Sequence, residues 1–257
     1  VKRKPGGALS AEKLVKSVSC CVNNFQERST NNKLNVSLRD NIMSAMAMFK
    51  LKYPSLLQFD NDRRDPGHAH NLKTLFHIEQ APSDTAIREC LDKLDPRELR
   101  KIFTRLFSIV QRNKVLEGYQ YLDEGYLCTI DGTGCFHSDS VHCENCCVKN
   151  HRDGRKSYYH QMLCGVIAHP KRSHVIPLCP KPILKQDGTT KNDCERNASK
   201  RFLTDLKREH PHLKLVILED SLASKAPHIR LIEELRYKHI IGAKLGDHKW
   251  LFDWVAA

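Results

Sequence analysis

Two short apolar runs, Tyr126–Ile130 and Leu213–Glu219, each stop at an aspartate, Asp131 and Asp220. Both runs are too short for a stable helix and rich in branched aliphatic residues, so they read as buried strands. Turn-forming residues follow each acid: Gly-Thr-Gly after Asp131 and Ser-Leu-Ala-Ser after Asp220. A buried strand delivers its last residue to the sheet edge, where a carboxylate is rigidly held yet open to solvent and metal. Taken singly, Asp131 also fits a turn position before Gly132, and Asp220 a helix cap before Ser221. Their shared place at strand carboxyl ends, where open α/β sheets put ligands, makes them candidate metal ligands.

Around these strands the apolar period divides the chain in two. Residues 1–120 repeat at three and four, as in the stripe Leu38, Ile42, Ala45, Met46 and Phe49, and read as an all-α N-terminal region. Pro54 interrupts the pattern, the polar run Asp60–Gly67 reads as an exposed loop, and Ser83 as an N-cap. A longer helix after Pro96 turns Leu99, Ile102, Phe103, Leu106 and Val110 inward and Arg97, Arg100, Lys101 and Arg105 outward. From 121 to 257 three strand-like runs (Tyr126–Ile130, Tyr158–Ala168, His174–Leu178) precede a helix over Asp193–Lys207 capped by Asp193. The strand ending at Asp220, a helix over Pro227–Tyr237 and a strand over His239–Ala243 follow. That order predicts an α/β domain with a mixed five-stranded sheet, antiparallel at first and parallel at the end, flanked by helices.

Forty-two Lys and Arg against thirty Asp and Glu give a net charge of +12, which favours a polyanionic partner such as nucleic acid. No apolar stretch approaches the ~20 residues of a membrane helix, and no secretory signal is visible. With no such signal, the eleven cysteines are expected as free or metal-bound thiols in a reducing cytoplasm. A start at Val1 and an end just after the amphipathic segment Trp250–Val255 read as those of a fragment.

The order of elements, with one acid ending the first strand and another the fourth, resembles the ribonuclease H-like core of DDE transposases. More narrowly, the wording is similar to bacterial transposases of insertion-sequence family four. The matching stretches are Asn71–Phe76, Leu122–Gly134, Tyr158–Leu163, Val175–Leu178, Leu184–Asp187, Lys191–Glu195, Leu218–Ser224 and Gly242–His248. The resemblance implies metal-dependent cleavage and strand transfer of a mobile element's DNA. Two Mg²⁺ or Mn²⁺ ions would be held by Asp131, bridging both, and by Asp220 on one of them. The implied partners are double-stranded DNA, as transposon ends and target, and a second copy in the DNA complex, with no membrane. The implied setting is a bacterial cytoplasm at the nucleoid, and the N-terminal region would bind DNA ends or dimerise. The family's third acid, a Glu on a later helix, falls beyond residue 257; Glu233 and Glu234 precede the fifth strand and do not fill that role. A chain lacking it would be catalytically poor alone, so a silent DNA-binding remnant or regulator, or a hydrolysis-only nuclease, are alternatives.

Three further groups stand out. Glu195, in the first turn of the helix after the third strand, fits dipole stabilisation at a helix N-terminus; beside Asp131 and Asp220 it would be a third Mg²⁺ ligand. Cys143 and Cys146 have the spacing of a zinc-binding pair, which Cys147 or His151, or His137 or His142, could complete as a structural Zn²⁺ site. Free thiols in a hairpin extension are the alternative. Lys149, Arg152, Arg155 and Lys156 surround the turn Asp153-Gly154 and are candidate contacts to a DNA backbone, or simply a solubilising turn. Trp250 and Trp254, four apart, are expected to pack into a core.

Overall fold

A computed structural model of the chain describes residues 9–25, 36–184 and 194–256. It divides into two compact units, Val1–Leu116 and Glu117–Ala257. No helix among the described residues is long and apolar enough to cross a membrane.

The first unit is helical: α1 (Ala11–Val22), α2 (Leu38–Lys50), α3 (Leu56–Asp62), α4 (Pro66–Phe76), α5 (Asp84–Leu91) and α6 (Arg100–Arg112). Ser10, Ser37, Ser55, Asp65 and Ser83 each cap a helix start with a side-chain oxygen on an otherwise unpaired backbone N–H. Their apolar faces meet around Val18, Met43, Phe59, Leu72, Phe76 and Ile87. Of the run from Asp60, only residues 63–65 form the predicted loop; its ends belong to α3 and α4. Asp60 is buried in α3, where it accepts from Arg63 Nε at 2.6 Å and Arg64 Nη2 at 3.0 Å. Charges three and four apart satisfy each other, so α3 runs on through Asp62, and a turn over 63–65 leads into α4 at Pro66. On α6, Phe107 is the buried residue, while Lys101 and Arg105 are exposed.

The second unit holds β1 (Gln120–Tyr121), β2 (Gly125–Ser138), β3 (Cys147–Asn150), β4 (Lys156–Ala168), β5 (Ile176–Pro177) and β6 (Lys181–Ile183). After them come α7 (Glu195–Glu209), β7 (Leu215–Glu219), α8 (Ala226–Glu234), β8 (Lys238–Ile241) and α9 (Lys249–Ala256). One mixed sheet runs β3-β4-β2-β7-β8. It is antiparallel between β2 and β4 and parallel across β2, β7 and β8. This is the predicted mixed sheet, antiparallel at first and parallel at the end, with five positions across it.

The outer position beside β4 is shared. β3, β6 and β5 pair in turn with Lys156–Tyr159, Gln161–Leu163 and Val166–Ile167 of β4. The strand predicted over His174–Leu178 is therefore reduced to β5, and the chain pairs again as β6. Pro177 and Pro182 sit in these short pieces. Each lacks an N–H for a ladder, which confines them to an edge.

α7 covers the sheet with Ala198, Phe202, Leu203 and Leu206, all buried, against Ile130, Leu163, Ile167 and Ile217. Gly165 permits this approach, since a Cβ there would lie 2.2 Å from Phe202 Cζ. The predicted cap Asp193 lies outside the described residues, as do 185–187 and 191–192 of the matching stretches. Trp250 and Trp254 do not enter a core: they are 78% and 69% exposed, and α9 buries none of its described residues. Spacing of four puts both rings on one face of α9, but no described element covers that face.

Candidate active site

β2 buries Leu127, Cys128 and Ile130, with Thr129 exposed between them, and from Asp131 onward no residue of the strand is buried. β7 is buried over Leu215–Ile217 and emerges at Asp220. The parallel ladder between them pairs Thr129 with Leu218. The ladder ends at that pair, and two residues further along each strand Asp131 and Asp220 stand at neighbouring strand tips. β7 has ended by then, whereas β2 continues alongside β4, with Asp131 opposite Cys164.

Both carboxylates are oriented by backbone. Asp131 Oδ1 accepts from Gly132 N at 2.8 Å, and Asp220 Oδ1 accepts from Leu222 N at 2.9 Å, capping the 3-10 turn Ser221–Ala223. Glu195 opens α7 directly above Gly132: a Cβ on that glycine would lie 2.2 Å from Glu195 Oε1. Any other residue at position 132 would displace Glu195. Asp131, Glu195 and Asp220 thus line one cleft, floored by Ile130 and Leu163. Burial first, and then the negative charges of Asp131 and Asp220, raise the Glu195 carboxyl above its ordinary range. Three hard oxygen donors thus line one cleft, although among the described residues they do not close to the mutual distances of a single-ion site.

No protein-family model and no curated protein matches the chain. Two solved structures are similar to it. One is the cryo-EM structure of a piggyBac transposase synaptic complex with hairpin DNA, at 14% identity and a TM-score of 0.35. That match covers 88% of this chain and 46% of the other, so the chain spans about half of that transposase's length. The other is the crystal structure of a pre-cleavage Mos1 transpososome, at 12% identity and a TM-score of 0.23, covering 91% and 75%. At such low scores neither likeness carries information about activity, and the carboxylate edge stands on its own geometry.

Two residues that sequence reasoning missed brace this edge. Glu219, one position before Asp220, accepts from Ser199 Oγ of α7 at 2.7 Å and from His228 Nε2 of α8 at 2.5 Å. The side chains of Glu219 and His228 are 6% and 2% exposed. The chain therefore ties the tip of β7 to both covering helices just where Asp220 must be held. A Glu ending an apolar run and a His on the following helix carry no local signal of pairing.

The remaining candidates separate. Cys147 Sγ donates to Ile183 O, and His151 Nε2 pairs with Ser157 Oγ at 2.8 Å, so neither joins Cys143 and Cys146. The donor that does is His160 of β4. The grouping of Cys147 and His151 with the cysteine pair is corrected accordingly: strand pairing, not proximity along the loop, selects the histidine. His142 stacks on Tyr158, with ring centroids 4.1 Å apart. Lys149, Arg152, Arg155 and Lys156 are exposed on the β3–β4 turn, where Arg155 is paired with Asp153. Lys156 lies eight residues along β4 from Cys164, the partner of Asp131, a separation on the order of 25 Å.

Glu195→Gln tests the convergence directly. Removing one of three crowded negative charges should raise the melting temperature in EDTA by about 2–4 °C, roughly 1 kcal/mol, and shrink the further rise produced by Mg²⁺. A destabilised variant with an unchanged Mg²⁺ response would show that the three acids do not act as one site.

Proposed function

We propose that the chain is the catalytic core of a DDE transposase-type enzyme that cleaves DNA phosphodiesters and joins the freed 3′-hydroxyl to target DNA. The observation that supports this most is the meeting of Asp131, Glu195 and Asp220 in one cleft at the strand-tip edge of a ribonuclease H-like sheet. Asp131 and Asp220 would hold the Mg²⁺ or Mn²⁺ ions, with Glu195 as the third carboxylate supplied by this chain. When bound, such a pair of ions activates the attacking oxygen and stabilises the leaving oxygen of an in-line displacement.

The residues themselves do the positioning. Each aspartate has one oxygen committed to a backbone N–H, which fixes the carboxylate plane. Gly132 keeps the backbone low beneath Glu195, and Ile130 and Leu163 limit water at the floor of the cleft. The net charge of +12 provides a sequence-independent attraction for the DNA backbone. Lys149, Arg152 and Lys156, on the order of 25 Å from the acids along the strand, would hold phosphates remote from the scissile bond.

Incubation with Mg²⁺ or Mn²⁺ and DNA should give nicks that bear 3′-hydroxyl ends, slowly from this chain, which is expected to be catalytically poor without the family's later Glu, with joined products when paired element ends are present. Nicking without joining would favour a hydrolytic nuclease. Tight DNA binding with no metal-dependent nicking would favour a regulator and overturn the enzymatic reading.

A further inference from the structure

Cys143 and Cys146 lie in the extension between β2 and β3, and His160 lies in the middle of β4. They are far apart in function from the carboxylate cleft, and nothing in that chemistry uses them. The turn Cys143-Glu-Asn-Cys146 is closed by Cys146 N donating to Cys143 O at 3.2 Å, and Cys143 N donates to Cys146 Sγ at 3.4 Å. Both sulfurs then face one imidazole nitrogen. The separations are 3.7 Å between the sulfurs, 3.4 Å from Cys143 Sγ to His160 Nε2 and 3.2 Å from Cys146 Sγ to His160 Nε2.

These distances carry chemical information. A tetrahedral zinc ion with Zn–S of about 2.3 Å and Zn–N of about 2.0–2.1 Å requires S···S near ~3.8 Å and S···N near ~3.6 Å. The observed triangle is within a few tenths of an ångström of that. It is far from a disulfide, which brings sulfurs to about 2.05 Å. We propose that Cys143, Cys146 and His160 bind one structural Zn²⁺, with water completing the tetrahedron.

The strand geometry explains why His160 is available. Gly134 pairs with Gln161 and Phe136 with His160, so Cys135 is an extra residue on β2. Its thiol turns onto the His160 carbonyl at 3.4 Å. Past this bulge the loop folds back, with His142 stacked on Tyr158, and brings the cysteine turn over the His160 ring. The ion would clamp the extension onto β4, an anchor for a segment with few apolar residues of its own. This assignment does not depend on the proposed DNA chemistry, since the two sites share no residue.

The chain, purified under reducing conditions without added metal, is expected to hold about one zinc per molecule by elemental analysis. Cys143→Ser, Cys146→Ser and His160→Gln should each lower this to below about 0.2, whereas Cys147→Ser, His151→Gln and Asp131→Asn should leave it unchanged. Should the first set fail to fold, cobalt(II) exchanged into the unaltered protein supplies the second reading. A tetrahedral ligand-field band with thiolate-to-cobalt charge transfer supports the site. Zinc-free protein with no such spectrum, a Cys143–Cys146 disulfide in the reduced preparation, or loss of zinc on Asp131→Asn would each overturn it.

Discussion

Asp131→Asn is expected to reduce metal-dependent DNA nicking by about 10³-fold, because the several kcal/mol of charge stabilisation supplied by correctly held divalent ions is lost. The substitution keeps the shape of the side chain and the acceptor for Gly132 N, so the backbone at the end of the buried part of β2 need not move. What changes is charge, at a residue proposed to hold the ions. Asp220→Asn should fall in the same direction. Glu195→Gln should cost less, about tenfold, since it acts from a helix start instead of a strand tip. A plasmid-nicking time course in Mg²⁺ and Mn²⁺, with EDTA as the blank, measures all three. Wild-type nicking that survives EDTA, or an Asp131→Asn protein that nicks at the wild-type rate, would remove the carboxylates from the reaction. Melting curves in EDTA provide the control for folding: neutralising one acid of a repelling group should not lower stability there.

The second large effect concerns Glu219 and His228. His228→Ala leaves a buried carboxylate with only Ser199 for company, and breaking a buried pair in this way costs roughly 3–5 kcal/mol. In a domain of this size that is a fall in melting temperature on the order of 10 °C. Because Glu219 is adjacent to Asp220, the stabilisation gained on adding Mg²⁺ should shrink as well. A double-mutant cycle with Glu219→Gln should show coupling of more than about 1 kcal/mol, the two changes together costing less than their sum. Additive effects would mean that the 2.5 Å contact holds nothing. Loss of stability with an intact Mg²⁺ response would confine the network to packing.

The aspartates were legible because burial imposes a pattern on neighbouring residues: a strand must be apolar until it emerges, and the point of emergence is visible. The helical first unit was legible from its period and from Ser83. Other features depend on partners distant in the chain. His160 sits in a strand-like run, and only the pairing of β2 with β4 and the extra residue at Cys135 bring its ring to the cysteines. Asp60 looked like a loop residue because composition cannot show that two arginines on the next turn will neutralise it. The third strand failed for the opposite reason: its apolar content was right, but Pro177 and Pro182 limit how long any one ladder there can run. Trp250 and Trp254 show that spacing reports which face of a helix two residues share, and not whether that face is covered.

The division of one sheet position among β3, β6 and β5 bears on how the molecule avoids its own kind. A continuous strand along the outer edge of β4 would present a long row of unpaired N–H and C=O groups, a template on which another chain could add. Here that border is tiled by pieces of four, three and two residues, two of them carrying proline. No piece is long enough to seed edge-to-edge association. The protein can therefore crowd at high local density without polymerising through that flank.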